Sequence, residues 1–312
     1  MSATLARQEL QRISPGRAAA VTVGVFDGVH RGHQQLVGVL LEHARREQLA
    51  AVAVTFNPHP RTVIQPGTVV TYLTSLEERV ELLQGLGLDA VAVVPFSSET
   101  AQLSPMDFCR LLVEELEMKL LVVGTDFSLG RNREGTPDVL RRLGQEVGFR
   151  VEVAPLLAED GEKVGSSSVR QALAEGDVRR VARLLGRPFS LRGPVVGGDK
   201  RGRDLGFPTA NMALGLDRAL PAYGIYVTRA YVRENSYESC TSIGVRPTFD
   251  AGSSPTVETY IIDFDEDIYG LEIRIDLLKR LRAEMRFDDV DALVAQMHGD
   301  IEDTQEYFRA QG

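Results

Sequence analysis

Through the first 185 residues, short apolar runs alternate with stretches in which apolar residues recur every three or four positions. The runs Val21–Val25, Ala51–Phe56, Ala90–Pro95, Leu120–Gly124 and Arg150–Ala154 read as strands. Between them, Gln34–Glu47 carries Leu36, Val37, Leu40 and Leu41 at helical spacing. Ser75–Leu86, Pro105–Leu116 and Asp138–Val147 read as further helices, with Ser104 as an N-cap. Two short helices follow, Ser168–Glu175 and Val178–Leu185. Apolar strands alternating with helices predict a parallel sheet covered on both faces.

After "LLGRPFS" the pattern changes. Glycine and proline become dense, and "YGIYVTRAYV", "YESCTSIGV", "VETYIIDF" and "EIRIDLLKRL" follow with no helix between them. Turn-rich stretches such as "DAGSSP" join them, so the pattern predicts antiparallel strands closing a small β-barrel. One helix, Asp289–Phe308, ends the chain. The expected boundary lies near Gly186–Ser190, dividing an α/β domain over residues 1–185 from a β domain over 186–312.

Composition narrows the class of protein. A chain of 312 residues accommodates two domains and buries a core without disulfides. The net charge of −9 argues against a general nucleic-acid binder, which needs a basic face, but leaves room for small anionic substrates. Cys109 and Cys240 are far apart and read as free thiols of a reducing compartment. The N-terminal stretch has no continuous apolar segment of a secretory signal, and no run reaches a membrane span. A cytoplasmic protein without a membrane partner is expected, with oligomeric state left open.

The candidate chemistry begins at "GVFDGVHRGH", residues 24–33, where a strand hands over to a helix. In open parallel sheets such turns bind anions, because helix-start N–H groups are free and glycine lets the backbone approach. Gly24, Gly28 and Gly32 supply the glycines, and His30 and His33 add donors toward phosphoryl oxygens. No Gly-Lys-Ser/Thr follows, so this is not a Walker loop. Three more stretches are expected at the same sheet edge. "TFNPHP" sets His59 between Pro58 and Pro60 in a rigid turn. "VGTDF" ends a strand on Asp126, a position that equally suits a simple Asx-turn. "GSSSVRQAL" offers Ser166, Ser167 and Arg170 at a helix start, a combination suited to a triphosphate or to plain capping.

A second constellation lies in "GPVVGGDKRGRDLGFPTANM". Gly198, Gly202 and Gly206 make a pliable loop for phosphates, and Thr209 and Asn211 present hard oxygen ligands on one side of an extended segment. In "VETYIIDF", alternation puts Glu258 on the side of Tyr260, Ile262 and Phe264, the more apolar side, where a carboxylate needs a partner or a task.

His30-Arg31-Gly32-His33 resembles the H-x-G-H motif of nucleotidylyltransferases. With "FNPHP", "VVGTDF", "SSSVRQALAEGDV", "GFPTAN", "VETYIIDF" and "LRAEMRFDD", the chain resembles, along nearly its whole length, the prokaryotic bifunctional riboflavin kinase/FAD synthetase family. That resemblance implies a Rossmann-like nucleotidylyltransferase sheet followed by a riboflavin kinase barrel, with riboflavin, FMN, FAD and ATP as small-molecule partners and Mg2+ accompanying ATP. It implies that His30 and His33 act on ATP phosphates in adenylyl transfer, with Gly24, Phe26, Asp27, Gly32, Asp126, Ser166, Ser167 and Arg170 around them. Pro58, His59 and Pro60 would border the flavin. In the kinase module, Gly198, Gly202 and Gly206 would face ATP, Thr209 and Asn211 would hold the magnesium, Glu258 would be the base and Arg282 would help close the flavin site. Two positions depart from the family. Gly165-Ser166-Ser167 stands where Ser-Ser-Thr is usual, and Leu129 where phenylalanine is usual, which bears on triphosphate and ring packing. Two rival readings remain at this stage: a transferase for another phosphate ester with the barrel as a flavin sensor, and a flavin-binding module without turnover.

Overall fold

The computed structural model describes residues 4–159, 161–198, 206–245 and 255–311. Five strands, β1 (Ala19–Val23), β2 (Ala50–Asn57), β3 (Ala90–Pro95), β4 (Met118–Gly124) and β5 (Arg150–Ala154), pair in parallel in the order β3-β2-β1-β4-β5. Alternate side chains of the apolar strands enter two separate cores. On one side Ala19, Val21, Val23, Val52 and Leu121 meet α1 (Thr4–Ile13), α6 (Pro105–Leu116) and α7 (Pro137–Val147). On the other, Ala20, Ala51, Ala53 and Val122 meet α2 (Arg31–Glu47) and α4 (Leu76–Gly85). Two short helices, α3 (Pro60–Ile64) and α5 (Ser98–Gln102), follow β2 and β3. Strand order reverses between β1 and β4, and the carboxyl ends of those two strands are where such sheets take ligands.

Most boundaries match the expected ones to within three residues, and the departures have local causes. β1 ends at Val23 rather than Val25, and α2 starts at Arg31 rather than Gln34. Between them Phe26, Gly28 and Val29 all take positive φ, which neither strand nor helix tolerates. Helix α1 was not expected. It is mostly polar and buries only Ala6 and Leu10 fully. A hairpin of two-residue strands, β6 (Ala158–Glu159) and β7 (Glu162–Lys163), is too short to show any period.

A second compact unit begins after Ser166. It takes in helices α8 (Ser166–Glu175, apart from its first residue) and α9 (Val178–Leu185), whose Val178, Val181, Leu184 and Leu185 are buried. The Ala222 N–H donates to Leu173 O, so α8 is tied to the loop before β10. Six strands, β8 (Phe189–Val196), β9 (Thr209–Met212), β10 (Gly224–Val232), β11 (Asn235–Val245), β12 (Pro255–Ile261) and β13 (Glu272–Arg282), close an antiparallel barrel in the order β10-β11-β12-β9-β8-β13. Closure leaves no open edge for another chain to pair with. Asp289 caps α10 (Val290–Arg309), which lies against β10 and β11.

The expected face of β12 is corrected by the structure. Val257, Thr259 and Ile261 are the buried side chains, and Glu258 and Tyr260 face the more open side. The barrel core is not purely apolar. Thr228 Oγ1 lies 2.7 Å from both Ser239 Oγ and Thr241 Oγ1, and Thr241 Oγ1 lies 3.0 Å from Thr259 Oγ1. All four residues are fully buried, and each hydroxyl satisfies another. Hydropathy therefore assigned the wrong face: a hydroxyl chain fills the interior where apolar residues were sought. Thr241→Val should orphan Thr259 Oγ1 and cost about 1–3 kcal/mol. Denaturant unfolding followed in the barrel strands would measure it, with Thr241→Ser close to the parent.

Candidate functional site

The turn after β1 is built by strain and held by hydrogen bonds. Val29, β-branched, sits at φ 41, and Phe26 at φ 54. Such conformations persist only where their surroundings over-determine them. The buried Asp27 carboxylate accepts from Leu73 N (2.9 Å) and Thr74 N (3.3 Å), and Gly28 N donates to Thr74 Oγ1 (3.2 Å). Thr55 Oγ1 donates to Val25 O at 2.9 Å. At Gly24 a Cβ would lie 3.1 Å from the Phe26 ring, so glycine lets that ring fold back on the strand.

His30 is the N-cap of α2 and is itself buried. Its Nδ1 accepts from His33 N at 3.3 Å, which places the neutral ring's proton on Nε2. The two imidazoles stack at 3.6 Å between centroids, and the Phe26 ring meets His33 edge-on at 5.1 Å. At Gly32 a Cβ would lie 3.0 Å from Val164 O and 3.2 Å from the His30 ring. His33 Nδ1 is buried without a hydrogen-bond partner. Burial, then the neighbouring His30 and Arg79 charges, holds the His33 pKa well below the ordinary imidazole value. A His33 ring kept neutral at a helix start suits donation to an anion rather than a fixed charge.

His59 and Asp126 follow the carboxyl ends of β2 and β4. His59 caps α3, its Nδ1 accepting from Arg61 N at 3.0 Å, while its own N–H donates to the Tyr72 hydroxyl at 3.0 Å. Pro58 is exposed and Pro60 half-buried beside it. Asp126, just past β4, is exposed and ion-paired with Lys163 of the β6–β7 hairpin. It also borders a hollow of about 640 Å³ lined by Phe127, Arg133, Thr136 and Arg141 among others. Ser166, the last residue of the first unit, donates through Oγ to Asp27 O in the histidine turn at 3.0 Å. Ser167 and Arg170 follow on α8, the first exposed and the second half-buried. Leu129 is 8% exposed within the hydrophobic core, so its departure from the family residue falls on core packing rather than on a ligand-facing surface.

In the barrel unit, register brings the second constellation together. Glu258 pairs with Asn211, and Tyr260 with Thr209, between β12 and β9. Directly paired residues share a face, so Thr209, Asn211 and Glu258 form one patch of oxygen donors, all half-buried. Ser242 of β11, paired with Glu258 on its other side, extends the row and was not singled out from sequence. Gly198 is required beside it, since a Cβ there would lie 2.4 Å from Asn211 Nδ2. Gly206, at φ 87, borders no atom that a Cβ would meet, and Gly202 lies outside the described residues. The buried Phe207 ring stands edge-on to Tyr260 (5.7 Å) and to His298 of α10 (4.9 Å).

Arg282 sits at the end of β13 and is gripped by Asp300 of α10, Nε at 2.8 Å and Nη2 at 2.6 Å from the two carboxylate oxygens. Gln296 Nε2 donates to the same carboxylate at 3.0 Å, and Thr304 Oγ1 to the Asp300 carbonyl at 2.7 Å. Asp300 was missed in the sequence, although Gln296, Asp300 and Thr304 form a polar stripe at spacing four along an amphipathic helix.

A parallel sheet with a histidine pair at its switch point, in one chain with a closed barrel carrying a Thr–Asn–Glu patch, is the arrangement expected of a two-module phosphoryl- and nucleotidyl-transferase. Comparison with known proteins specifies it further. The family model for FAD synthetase matches residues 13–168, and that for riboflavin kinase matches residues 185–308. Bifunctional riboflavin kinase/FMN adenylyltransferases are 37% identical in Escherichia coli, over 95% of this chain and 94% of that protein, and 35% identical in Listeria monocytogenes, over 92% of each. The chain belongs to the bifunctional riboflavin kinase/FMN adenylyltransferase family. A solved structure described as a macrolide-efflux protein from Streptococcus pneumoniae superposes with a TM-score of 0.87 at 33% identity, covering 95% of this chain and 96% of that one. Among the described residues no helix is long and apolar enough to cross a membrane.

Two outcomes follow from the site's electrostatics. The unfolded chain protonates His33 near pH 6.5 while the folded chain resists, so this contribution to stability is complete above that pH and is lost as pH falls below it. The loss has a ceiling of about 1.4 kcal/mol per pH unit. Urea unfolding at pH 7.5 and 5.5 should show a smaller acid loss for His33→Gln than for the parent. Asp300→Asn, which strips Arg282 of its charge partner, should cost about 3 kcal/mol and raise hydrogen exchange along α10.

Proposed function

We propose that Glu258 is the general base that readies riboflavin for phosphorylation, and that His30 and His33 donate to ATP phosphates during adenylylation of FMN. The two activities are those of the family: riboflavin is phosphorylated to FMN with ATP, and FMN is adenylylated to FAD with release of pyrophosphate. We assign adenylyl transfer to residues 1–185 and the kinase to residues 186–312, in a cytoplasmic enzyme with no nucleic-acid or membrane partner.

The observation that carries the kinase assignment is the register that sets Glu258 beside Asn211, with Thr209 on the same face. The donor set is hard oxygen throughout, hydroxyl, amide and carboxylate, and Gly198 leaves room for the Asn211 amide, which a Cβ there would meet at 2.4 Å. These residues fit Mg2+. Thr209 and Asn211 would hold the ion, which would offset charge on the ATP phosphates. The 5′-hydroxyl oxygen of riboflavin bonds to the γ-phosphorus, the bond to ADP breaks, and Glu258 takes the hydroxyl proton. Gly198, Gly202 and Gly206 are read as the ATP side of this site, and Arg282, oriented by Asp300, as its flavin side.

Adenylyl transfer needs no base. An FMN phosphate oxygen is already anionic; it bonds to the α-phosphorus of ATP, and the bond to pyrophosphate breaks. The work left to the protein is placement and charge stabilisation. His30 Nε2–H and the start of α2 supply donors, with Gly24, Phe26, Asp27 and Gly32 shaping the turn. Ser166, Ser167 and Arg170 at the start of α8 are read as triphosphate holders, Asp126 as a neighbour of the reacting phosphates, and Pro58, His59 and Pro60 as the flavin border.

The test separates the sites. Glu258→Gln should lose FMN formation about 100-fold or more yet still adenylylate supplied FMN. His33→Ala should do the reverse. A folded variant of either kind that loses both reactions contradicts the division.

A further inference from the structure

Arg79 of α4 is the bulkiest side chain of those under 2% exposed among the described residues. A guanidinium cannot shed its charge, and taking one out of water is costly unless it is compensated. No carboxylate lies within ion-pair distance of it among the described residues. Its Nη1 donates to Phe56 O at 3.2 Å and lies 3.5 Å from Thr55 Oγ1, its plane stands 5.7 Å from the Tyr72 ring centroid, and its Nε has no partner. A leucine there would fill the core at less cost, so the charge has a use beyond packing.

Its neighbours indicate that use. Thr55 Oγ1 in turn donates to Val25 O, in the turn that leads to the histidines. The Tyr72 hydroxyl accepts from His59 N, at the corner read as the flavin border. Leu73 and Thr74, next to Tyr72, are the donors that hold Asp27. Ser75 then opens α4 with a capping box, and one turn on the helix delivers Arg79. The guanidinium thus bridges the end of β2, which leads into the corner read as the flavin border, and Tyr72, whose neighbours Leu73 and Thr74 hold the phosphate turn.

We infer that Arg79 is a positioning residue for adenylyl transfer, tying the Thr55–Phe56 end of β2 to Tyr72 and so fixing the corner at residues 56–60 against the turn at residues 24–33. The inference rests on the adenylyltransferase reading of that turn. Arg79 need not touch either substrate. Its effect is on the alignment of FMN with the α-phosphorus, and misplacement by about an ångström costs up to about a hundredfold in rate.

The experiment uses the full chain, with riboflavin phosphorylation in the same molecule as the check on folding. Arg79→Met keeps the bulk and removes the charge and the donors. Arg79→Lys keeps the charge without the planar fork. Steady-state adenylylation of supplied FMN should show kcat lowered by about tenfold or more in Arg79→Met, with KM for ATP nearly unchanged and kinase turnover at the parental level. Arg79→Lys should fall between that variant and the parent. If Arg79→Met also loses kinase turnover, Arg79→Lys alone decides, and a reduced kcat with intact kinase turnover supports the role. Parental kcat in the variants overturns it, as does a rate loss that only follows the folded fraction measured by thermal melting. A parent chain that forms no FAD overturns the adenylyltransferase reading and this inference together.

Discussion

The buried carboxylate of Asp27 accepts the N–H groups of Leu73 and Thr74, and this acceptor keeps residues 24–30 in a shape they would not hold unaided. Two non-glycine residues of that turn lie in the left-handed region, one of them β-branched, at a cost of about 1–3 kcal/mol each. What the strain gains is direction. The chain leaves β1, reverses sharply and enters α2 with His30 as its cap, so both rings stack at the helix start. The Asp27 carbonyl accepts from Ser166, so one residue holds the strand end, the loop before α4 and Ser166 together within the first unit.

The two candidate sites solve different chemical problems with different architecture. A parallel sheet exposes strand ends and helix starts at its switch point, a place rich in N–H donors and suited to charge already present on phosphate. A closed antiparallel barrel offers instead a flat row of side chains in fixed register. That row suits a hard-oxygen patch and a carboxylate acting on a neutral alcohol. The barrel keeps its own interior satisfied through the Thr228–Ser239–Thr241–Thr259 hydroxyl chain, so Glu258 faces outward at no cost to the core. The Arg282–Asp300 pair then fixes the C-terminal helix to the end of β13.

Much of this was legible in the sequence because it is written in periodicity and in local spacing. The five parallel strands, the long helices and the barrel strands were readable from apolar runs, and Pro105–Leu116 with its Ser104 cap from capping chemistry. His30, His33, Thr209 and Asn211 stood out as chemistry at short spacing. The failures share a physical origin in tertiary context. The inward face of β12 was misread because buried hydroxyls look polar until their partners are known. Asp300 and Ser242 become meaningful only once α10 meets Arg282 and β11 pairs with β12. Arg79 lies in a helix that periodicity does predict, but its burial is set by tertiary contacts that no local pattern shows. Helix α1 and the β6–β7 hairpin carry too few apolar positions to announce themselves.

The central claim is that one chain performs two transfers that cut ATP at different phosphorus atoms. The most direct measurement supplies riboflavin and Mg–ATP labelled with radioactive phosphorus at either the α or the γ position, and follows the label in separated flavins. The account predicts that γ-label enters FMN and persists in FAD, whereas α-label appears in FAD and never in FMN. Label from the α position in FMN, or FAD formed without it, would contradict the account.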